Sequence, residues 1–350
     1  MEKEIPKNFI LQWSITEKCN LNCKHCYRNE KMLKQELNLQ EQKEILDKFI
    51  GQLEKWNLPK EKVRLHFSGG EPLFSEKLLP LLEKCVKNHD KFSYGILTNG
   101  TLINEQKIKK LKDLEIDYAQ VSLEGLEKKN DQIRGKGVFK KAVRSVKLLK
   151  QAGITTNLSF TVSKMNLDEV PKMVKLAKEI GVLISFGRLV PIGNASKLND
   201  LMLSPKEIKK LWIFLLKERQ VNWPKITLTC EDGMLAQEFS DYNVHGCPIG
   251  YYGVSLMPNG EVYPCRRLPV TLGNIKEVSF GEIYNTEIMR QFRNVDDNIN
   301  KTCYNCSHFQ RCKGGAKCLV YSYFNDFHAP DPQCWGLFEE LPDKIEKWTD

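Results

Sequence analysis

The sequence predicts an α/β fold, a partial (β/α)6 barrel of the TIM type followed by a cysteine-rich C-terminal region. Three observations predict it. From residue 9 to about 192, short apolar runs alternate with longer amphipathic stretches, the pattern of βα units around a parallel sheet. Polar motifs sit where the predicted strands end, on the face where parallel barrels carry their sites. Downstream of that pattern, cysteines crowd between Cys230 and Cys334 while helical periodicity fades.

In chain order the expected strands are Phe9–Thr16, Val63–Ser68, Ser93–Thr98, Tyr118–Leu123, Thr156–Val162 and Leu183–Val190. Each is a short run rich in β-branched, aromatic or aliphatic residues. Helical periods lie between them, the first over residues 37–57, and glycine or asparagine falls near several helix ends. Around Pro191–Ala195 the register changes, and a further helix is expected over residues 204–220. The cysteine-rich region has strand and turn signals, with Pro258-Asn259-Gly260 between two strand-like runs. The expected division is a barrel over 1–195, a bridging helical segment over 196–235 and a cluster domain over 236–350. A thin core is expected in the last part, with bound metal in place of apolar burial.

A chain of 350 residues buries a core without covalent staples, so its 12 cysteines are not the frame of a mini-protein. The N-terminus has no apolar signal segment, and nowhere do about 18 apolar residues run together. A cytoplasmic protein that does not cross a membrane is expected. In a reducing compartment, clustered thiols are metal ligands more often than disulfides. The charge, 53 basic against 44 acidic residues or +9, comes from lysines interleaved with glutamates on helix faces. Such mixing describes solvated surfaces, not a nucleic-acid stripe.

CNLNCKHC places Cys19, Cys23 and Cys26 in a loop after the first strand. Three thiolates at spacings of four and three can face one iron–sulfur cube with one iron left open, or form a zinc site completed by His25 or water. Ser68-Gly69-Gly70-Glu71-Pro72 follows the second strand, where glycines free the backbone to approach a ligand. TNGT follows the third strand and SLEG the fourth.

CxxxCxxC after strand one and GGE after strand two resemble the radical S-adenosylmethionine (radical SAM) superfamily over the first 190 or so residues. The resemblance implies a 4Fe-4S cluster held by Cys19, Cys23 and Cys26, with SAM chelating the open iron. It implies that Gly69, Gly70 and Glu71 meet the methionine amino group, and that His25 lies near the adenine. Asn99, Ser122 and Arg134 would lie near the ribose or carboxylate, and Leu189 would be a further adenine contact. An arginine fork suits a carboxylate. The cofactor carries the hard chemistry, a 5′-deoxyadenosyl radical that takes hydrogen from a substrate.

The downstream cysteines resemble the SPASM extension of radical SAM maturases, which carries two auxiliary 4Fe-4S clusters, for three clusters in all. By motif order one would use Cys303, Cys306, Cys312 and Cys334. The other would use Cys247, Cys265 and Cys318, with Cys230 as a fourth ligand or an open iron in its place. Cys312 and Cys318 are separated by five residues, KGGAK, where the family commonly has three. Cys85, on a helical pattern, reads as structural.

The resemblance implies an enzyme that oxidatively modifies a peptide or protein, for instance by thioether or carbon–carbon crosslinking. The alternative is a small molecule such as a tetrapyrrole or another cofactor precursor. A non-enzymatic iron–sulfur or zinc protein is the third reading, against which SGGEP speaks. An external low-potential donor, a flavodoxin or ferredoxin, is expected as partner, and a separate peptide-recognition protein is a further candidate. Sulfatase-activating members carry an aspartate after the GxxxxC cysteine; here Arg266 and Arg267 follow Cys265, which argues against that activity. No general acid or base is identified, although Glu231, Asp232 and Arg266 lie near the cysteines in sequence.

Overall fold

A computed structural model describes residues 4–28, 35–222, 226–228, 230–238, 246–295 and 299–342. Its centre is one sheet. β1 (Phe9–Ser14), β2 (Val63–Ser68), β3 (Ser93–Thr98), β4 (Tyr118–Ser122), β5 (Thr155–Val162) and β6 (Leu183–Arg188) lie side by side, each parallel to the next. All six expected strands form, and the differences are at their ends. β1 stops at Ser14 and β6 at Arg188, because the chain beyond each turns away to build the mouth of the barrel.

The strands alternate by face. Phe9, Leu11 and Trp13 of β1 and Val63, Leu65 and Phe67 of β2 are fully buried under the outer helices. The first of these, α1 (Leu39–Trp56), starts in a capping box between Asn38 and Glu41 and ends at Asn57 in the left-handed conformation, φ 51°. Its Phe49 and Trp56 rings meet Phe9 at 6.2 and 4.8 Å. α2 (Leu78–Val86), α3 (Glu105–Asp113), α4 (Glu127–Arg134), α5 (Val138–Gln151) and α6 (Val170–Ile180) follow the successive strands. The opposite face of the sheet is polar. Asn157 Nδ2 donates to Gln120 and Ser185, and the Tyr118 ring meets His66 edge-on at 5.0 Å. A polar concave wall is what a barrel open to a substrate needs.

The sheet does not end with the six strands. After α7 (Pro205–Asn222), β7 (Ile226–Leu228) pairs parallel to β6. On the other side β8 (Gly253–Leu256) pairs parallel to β1, and β9 (Glu261–Tyr263) and β10 (Gly273–Asn274) continue antiparallel, for ten strands in one open sheet. The expectation of a thin core in the cysteine-rich region is corrected for residues 254–289; beyond them Val295, Cys303 and Phe309 form a small cluster of their own. Val254, Leu256, Val262, Phe280, Ile283 and Met289 belong to the same buried cluster as the barrel residues. Gly253 permits the junction: a Cβ there would stand 1.9 Å from the Ile10 carbonyl oxygen. Short helices α8 (Phe280–Tyr284), α9 (Glu287–Arg293), α10 (Lys301–Tyr304), α11 (Phe309–Cys312) and α12 (Lys317–Phe324) complete the chain.

One buried ion pair locks the barrel to this region. Arg188, at the end of β6, forks onto Asp331 at 2.9 and 2.7 Å and reaches Gln333 at 2.9 Å. Both side chains of the ion pair are almost wholly buried. Asp331 also accepts from the Ala316 and Gln333 backbone amides. Removing one partner of such a pair leaves an uncompensated buried charge. Arg188→Met is expected to cost about 3–5 kcal/mol, read as a lowered urea midpoint in anaerobic unfolding followed by circular dichroism; an unchanged midpoint would refute the lock.

Candidate metal and cofactor site

Residues 15–28 leave β1 without regular structure, so neighbouring segments must hold the loop. The Ile133 carbonyl accepts from Lys24 N, and Asn194 and Ala195 donate their amides to the carbonyls of Arg28 and Cys26. Asn194 Nδ2 donates to the Cys23 carbonyl. Thus the change of register near Pro191–Ala195 is a brace for the cysteine loop. Gly193, at φ +62°, lies against it so closely that a Cβ would stand 2.2 Å from the Tyr27 carbonyl carbon.

The glycines of SGGEP serve the same loop. Gly70 N donates to the Thr16 carbonyl and Glu71 N to the Lys18 carbonyl. A Cβ on Gly69 or Gly70 would stand 2.2 or 2.1 Å from those same oxygens. The close approach that excludes side chains is to the protein's own backbone. Glu71 is fully buried and accepts from Thr98 Oγ1, Asn99 N and Leu73 N at 2.7, 2.8 and 3.1 Å. Burial raises its pKa, against those three donors. Asn99, positioned by Glu71, points its amide at Asn20 Oδ1 (2.9 Å) and at Cys19 Sγ (3.9 Å).

Glu124 organises the other side of the loop. Fully buried, it takes Arg134 Nη2 and lies 3.0 Å from His25 Nε2 on one oxygen; Thr161 N donates to the other at 2.7 Å. Burial would raise its pKa, but Arg134 and His25 outweigh burial and hold it at about 2. Arg134 also reaches Cys23 Sγ at 3.8 Å. His25 Nδ1 and Arg134 Nε remain buried without a partner, polar atoms left for a bound group. The structure thus brings His25, Arg134, Asn99, Glu71 and the three cysteines to one rim. Ser122 ends β4 opposite Ser159, outside this network. Leu189 is enclosed in a cluster with Cys318 and Leu319.

The later cysteines form two groups. Cys303, Cys306, Cys312 and Cys334 line a cavity of ≈ 320 Å³ with Gly314, Gly315 and Trp335. Cys247, Cys265 and Cys318 share a second cluster with Ile249 and Leu268, where Arg267 donates to Cys265 from backbone and side chain. Cys85 is fully buried in the barrel core. The side chains of Cys230, Glu231 and Asp232 lie outside the described residues. Arg266 spans the gap to the first site: Nη2 donates to the Gly69 carbonyl at 3.0 Å, and the guanidinium lies 4.2 Å over the Tyr27 ring.

The residues fit iron–sulfur clusters. The donors are all sulfur. Burial pushes the thiols up, Cys23 to about 11 against the pull of Arg134, and Cys303 and Cys312 to about 12; metal binding at such sites is coupled to proton release. Among the described residues no three His, Cys, Asp or Glu side chains gather closely enough to hold a single ion.

Sequence reasoning missed Glu124, Lys317 and the Arg188–Asp331 pair. Glu124 lay within SLEG, where the serine was singled out; β4 ends at Ser122, so Glu124 stands beyond the strand in different surroundings. The Arg188–Asp331 pair carries no local signal, since its two members lie 143 positions apart.

The radical SAM superfamily model matches residues 13–177, and the SPASM iron–sulfur cluster-binding domain model matches residues 247–307. The chain is 29% identical to Fe-coproporphyrin III synthase of Methanosarcina barkeri, over 96% of this chain and 90% of that protein. It is 27% identical to mycofactocin maturase MftC of Mycolicibacterium smegmatis, over 96% and 85%. The solved structure of anSMEcpe with bound AdoMet superposes with a TM-score of 0.72 at 23% identity, covering 94% of each chain. Among the described residues no helix is long and apolar enough to cross a membrane.

Because Glu124 has a depressed pKa, its stabilising contribution is complete above its ordinary value of 4.5 and is lost as pH falls toward about 2. Wild-type protein is expected to lose that increment between these limits and Glu124→Gln to lack it. Urea midpoints measured across the window check this, and identical pH profiles would refute it.

Proposed function

From the premise that this chain is a radical SAM enzyme with a SPASM domain, we propose that it oxidises a carboxylate-bearing substrate at the mouth of the barrel. Cys19, Cys23 and Cys26 would hold the SAM-binding 4Fe-4S cluster. Cys303, Cys306, Cys312 and Cys334 would hold one auxiliary cluster, and Cys247, Cys265 and Cys318, with Cys230 or an open iron, the other. When bound, these groups supply a 5′-deoxyadenosyl radical that removes hydrogen from the substrate and an acceptor for the electron left behind. Asn99 and Arg134 hold the cysteine loop in place, and the polar atoms of His25, Arg134 and Glu71 at the rim suit the amino, carboxylate and ribose groups of SAM.

The observation that carries the oxidative reading is Arg266. It follows Cys265 directly and reaches the carbonyl of Gly69, so a ligand of an auxiliary cluster and the SAM motif share one wall. A half-buried guanidinium there suits an anionic substrate and orients it by a charge-assisted contact. Burial lowers its pKa to about 10, so it stays charged at neutral pH.

The likeness to Fe-coproporphyrin III synthase supports a tetrapyrrole with carboxylate arms as substrate. The likeness to mycofactocin maturase supports a second reading, a peptide or protein presenting a carboxylate. In either case a low-potential flavodoxin or ferredoxin would deliver the electron that starts the reaction.

Anaerobically reconstituted protein is expected to hold about 12 irons, four per cube, and to release 5′-deoxyadenosine from SAM and dithionite. Absence of 5′-deoxyadenosine would sink the proposal. Mass spectrometry after incubation with coproporphyrin-type tetrapyrroles, or with peptides encoded beside the gene, separates the substrate classes. Arg266→Ala is expected to keep 5′-deoxyadenosine release and lose at least tenfold in substrate conversion; equal conversion would remove Arg266 from the substrate site.

A further inference from the structure

The long KGGAK spacer between Cys312 and Cys318 has a use that the cysteine pattern does not explain. Its last residue, Lys317, opens α12 and is 4% exposed, with Nζ buried and without a hydrogen-bond partner. The two glycines make its room. Gly314 and Gly315 adopt φ +77° and +76°; a Cβ on Gly314 would stand 3.0 Å from Lys317 Nζ, and one on Gly315 2.4 Å from Asp331. A spacer with side chains at these positions would crowd both the ammonium and the carboxylate.

A buried ammonium needs an anion. The nearest carboxylate, Asp331, is already neutralised by the fork of Arg188 and holds two backbone amides. The other groups whose charge reaches Lys317 are thiols from both auxiliary sets, Cys247 from one and Cys303 and Cys312 from the other. Lys317 also precedes Cys318 of the first set, and its Nζ lies against Gly314, which lines the cavity of the second. It is therefore a single cation standing between the two sets.

Resting on the reading that these cysteines hold two auxiliary clusters, we propose that Lys317 is a positioning residue shared by both. Its charge offsets the thiolate charge of each set and favours the reduced state of both clusters, so that an electron taken from the substrate is retained on the auxiliary side. The substrate is not touched by Lys317, and its role is read in the potentials of the clusters.

The test is an anaerobic redox titration of the holoenzyme followed by electron paramagnetic resonance, with iron content measured on the same samples. In Lys317→Gln and Lys317→Met both auxiliary signals are expected to move to more negative potential by about 59 mV, a tenfold change in a one-electron equilibrium. Lys317→Arg, which keeps the charge, is expected to restore them. Two assembled auxiliary clusters with unchanged potentials, or a shift of one alone, would overturn the shared role. If neither neutral variant assembles the clusters, Lys317→Arg decides: assembly with near-native potentials supports a requirement for charge, and failure to assemble assigns Lys317 a role in shape and overturns the proposal. Wild-type protein with about 4 irons would overturn the auxiliary-cluster reading itself, and this inference with it, an outcome distinct from clusters whose potentials ignore the variant.

Discussion

The buried pair of Arg188 and Asp331 is the contact on which the two halves of the site depend. Arg188 ends the last strand of the barrel's six-strand core, and Asp331 lies on the segment that leads to Cys334. Burying both ions is costly, and it is offset by a bidentate fork, by Gln333, and by two amides that fill the remaining acceptor positions of Asp331. One of those amides belongs to Ala316, next to Lys317 and Cys318. The carboxylate therefore registers the strand end, both later cysteine groups and the turn between Cys312 and Cys318 against each other.

At the mouth of the barrel the same logic is repeated with two glutamates in opposite environments. Glu71 sits among neutral donors and joins the turn after β2 to the one after β3, so burial dominates and its pKa rises. Glu124 faces the Arg134 guanidinium and the His25 ring and is held at about 2. One carboxylate shapes backbone; the other anchors Arg134 and His25 beside the cysteine loop. The loop is closed from within by Arg28 on Glu17 and by Cys26 N on the Cys23 carbonyl, and is braced from outside by Ile133, Asn194, Gly69 and Gly70. Rigid neighbours thus complete the order of a segment without regular structure.

The pairing of β8 with β1 has a further consequence. It places the β8–β9 hairpin, which leads to Cys265, beside the strand that leads to Cys19, with β8 between β9 and β1. Arg266 then needs only one side chain to span from one loop to the other. Residues 253–289 continue the barrel's sheet and share its apolar cluster, which fixes this hairpin to the barrel.

What the sequence determined by itself was local. Strand alternation placed all six barrel strands, and cysteine and glycine spacing marked the loops, because these signals repeat within a few residues. The grouping of Cys303, Cys306, Cys312 and Cys334 around one cavity follows the order of the motif, but the cavity exists only because the chain closes on itself across that interval. Tertiary structure decided the rest. Gly69 and Gly70 looked like room for a ligand, and the folded chain shows that their missing side chains admit the backbone of Thr16 and Lys18. Glu124 rather than Ser122 became the anchor because the strand ends between them, and Arg188, Lys317 and Asp331 were ordinary charged residues until burial removed water from around them. A charge acquires its meaning from what surrounds it, and for Arg188 and Asp331 that surrounding comes from 143 positions away.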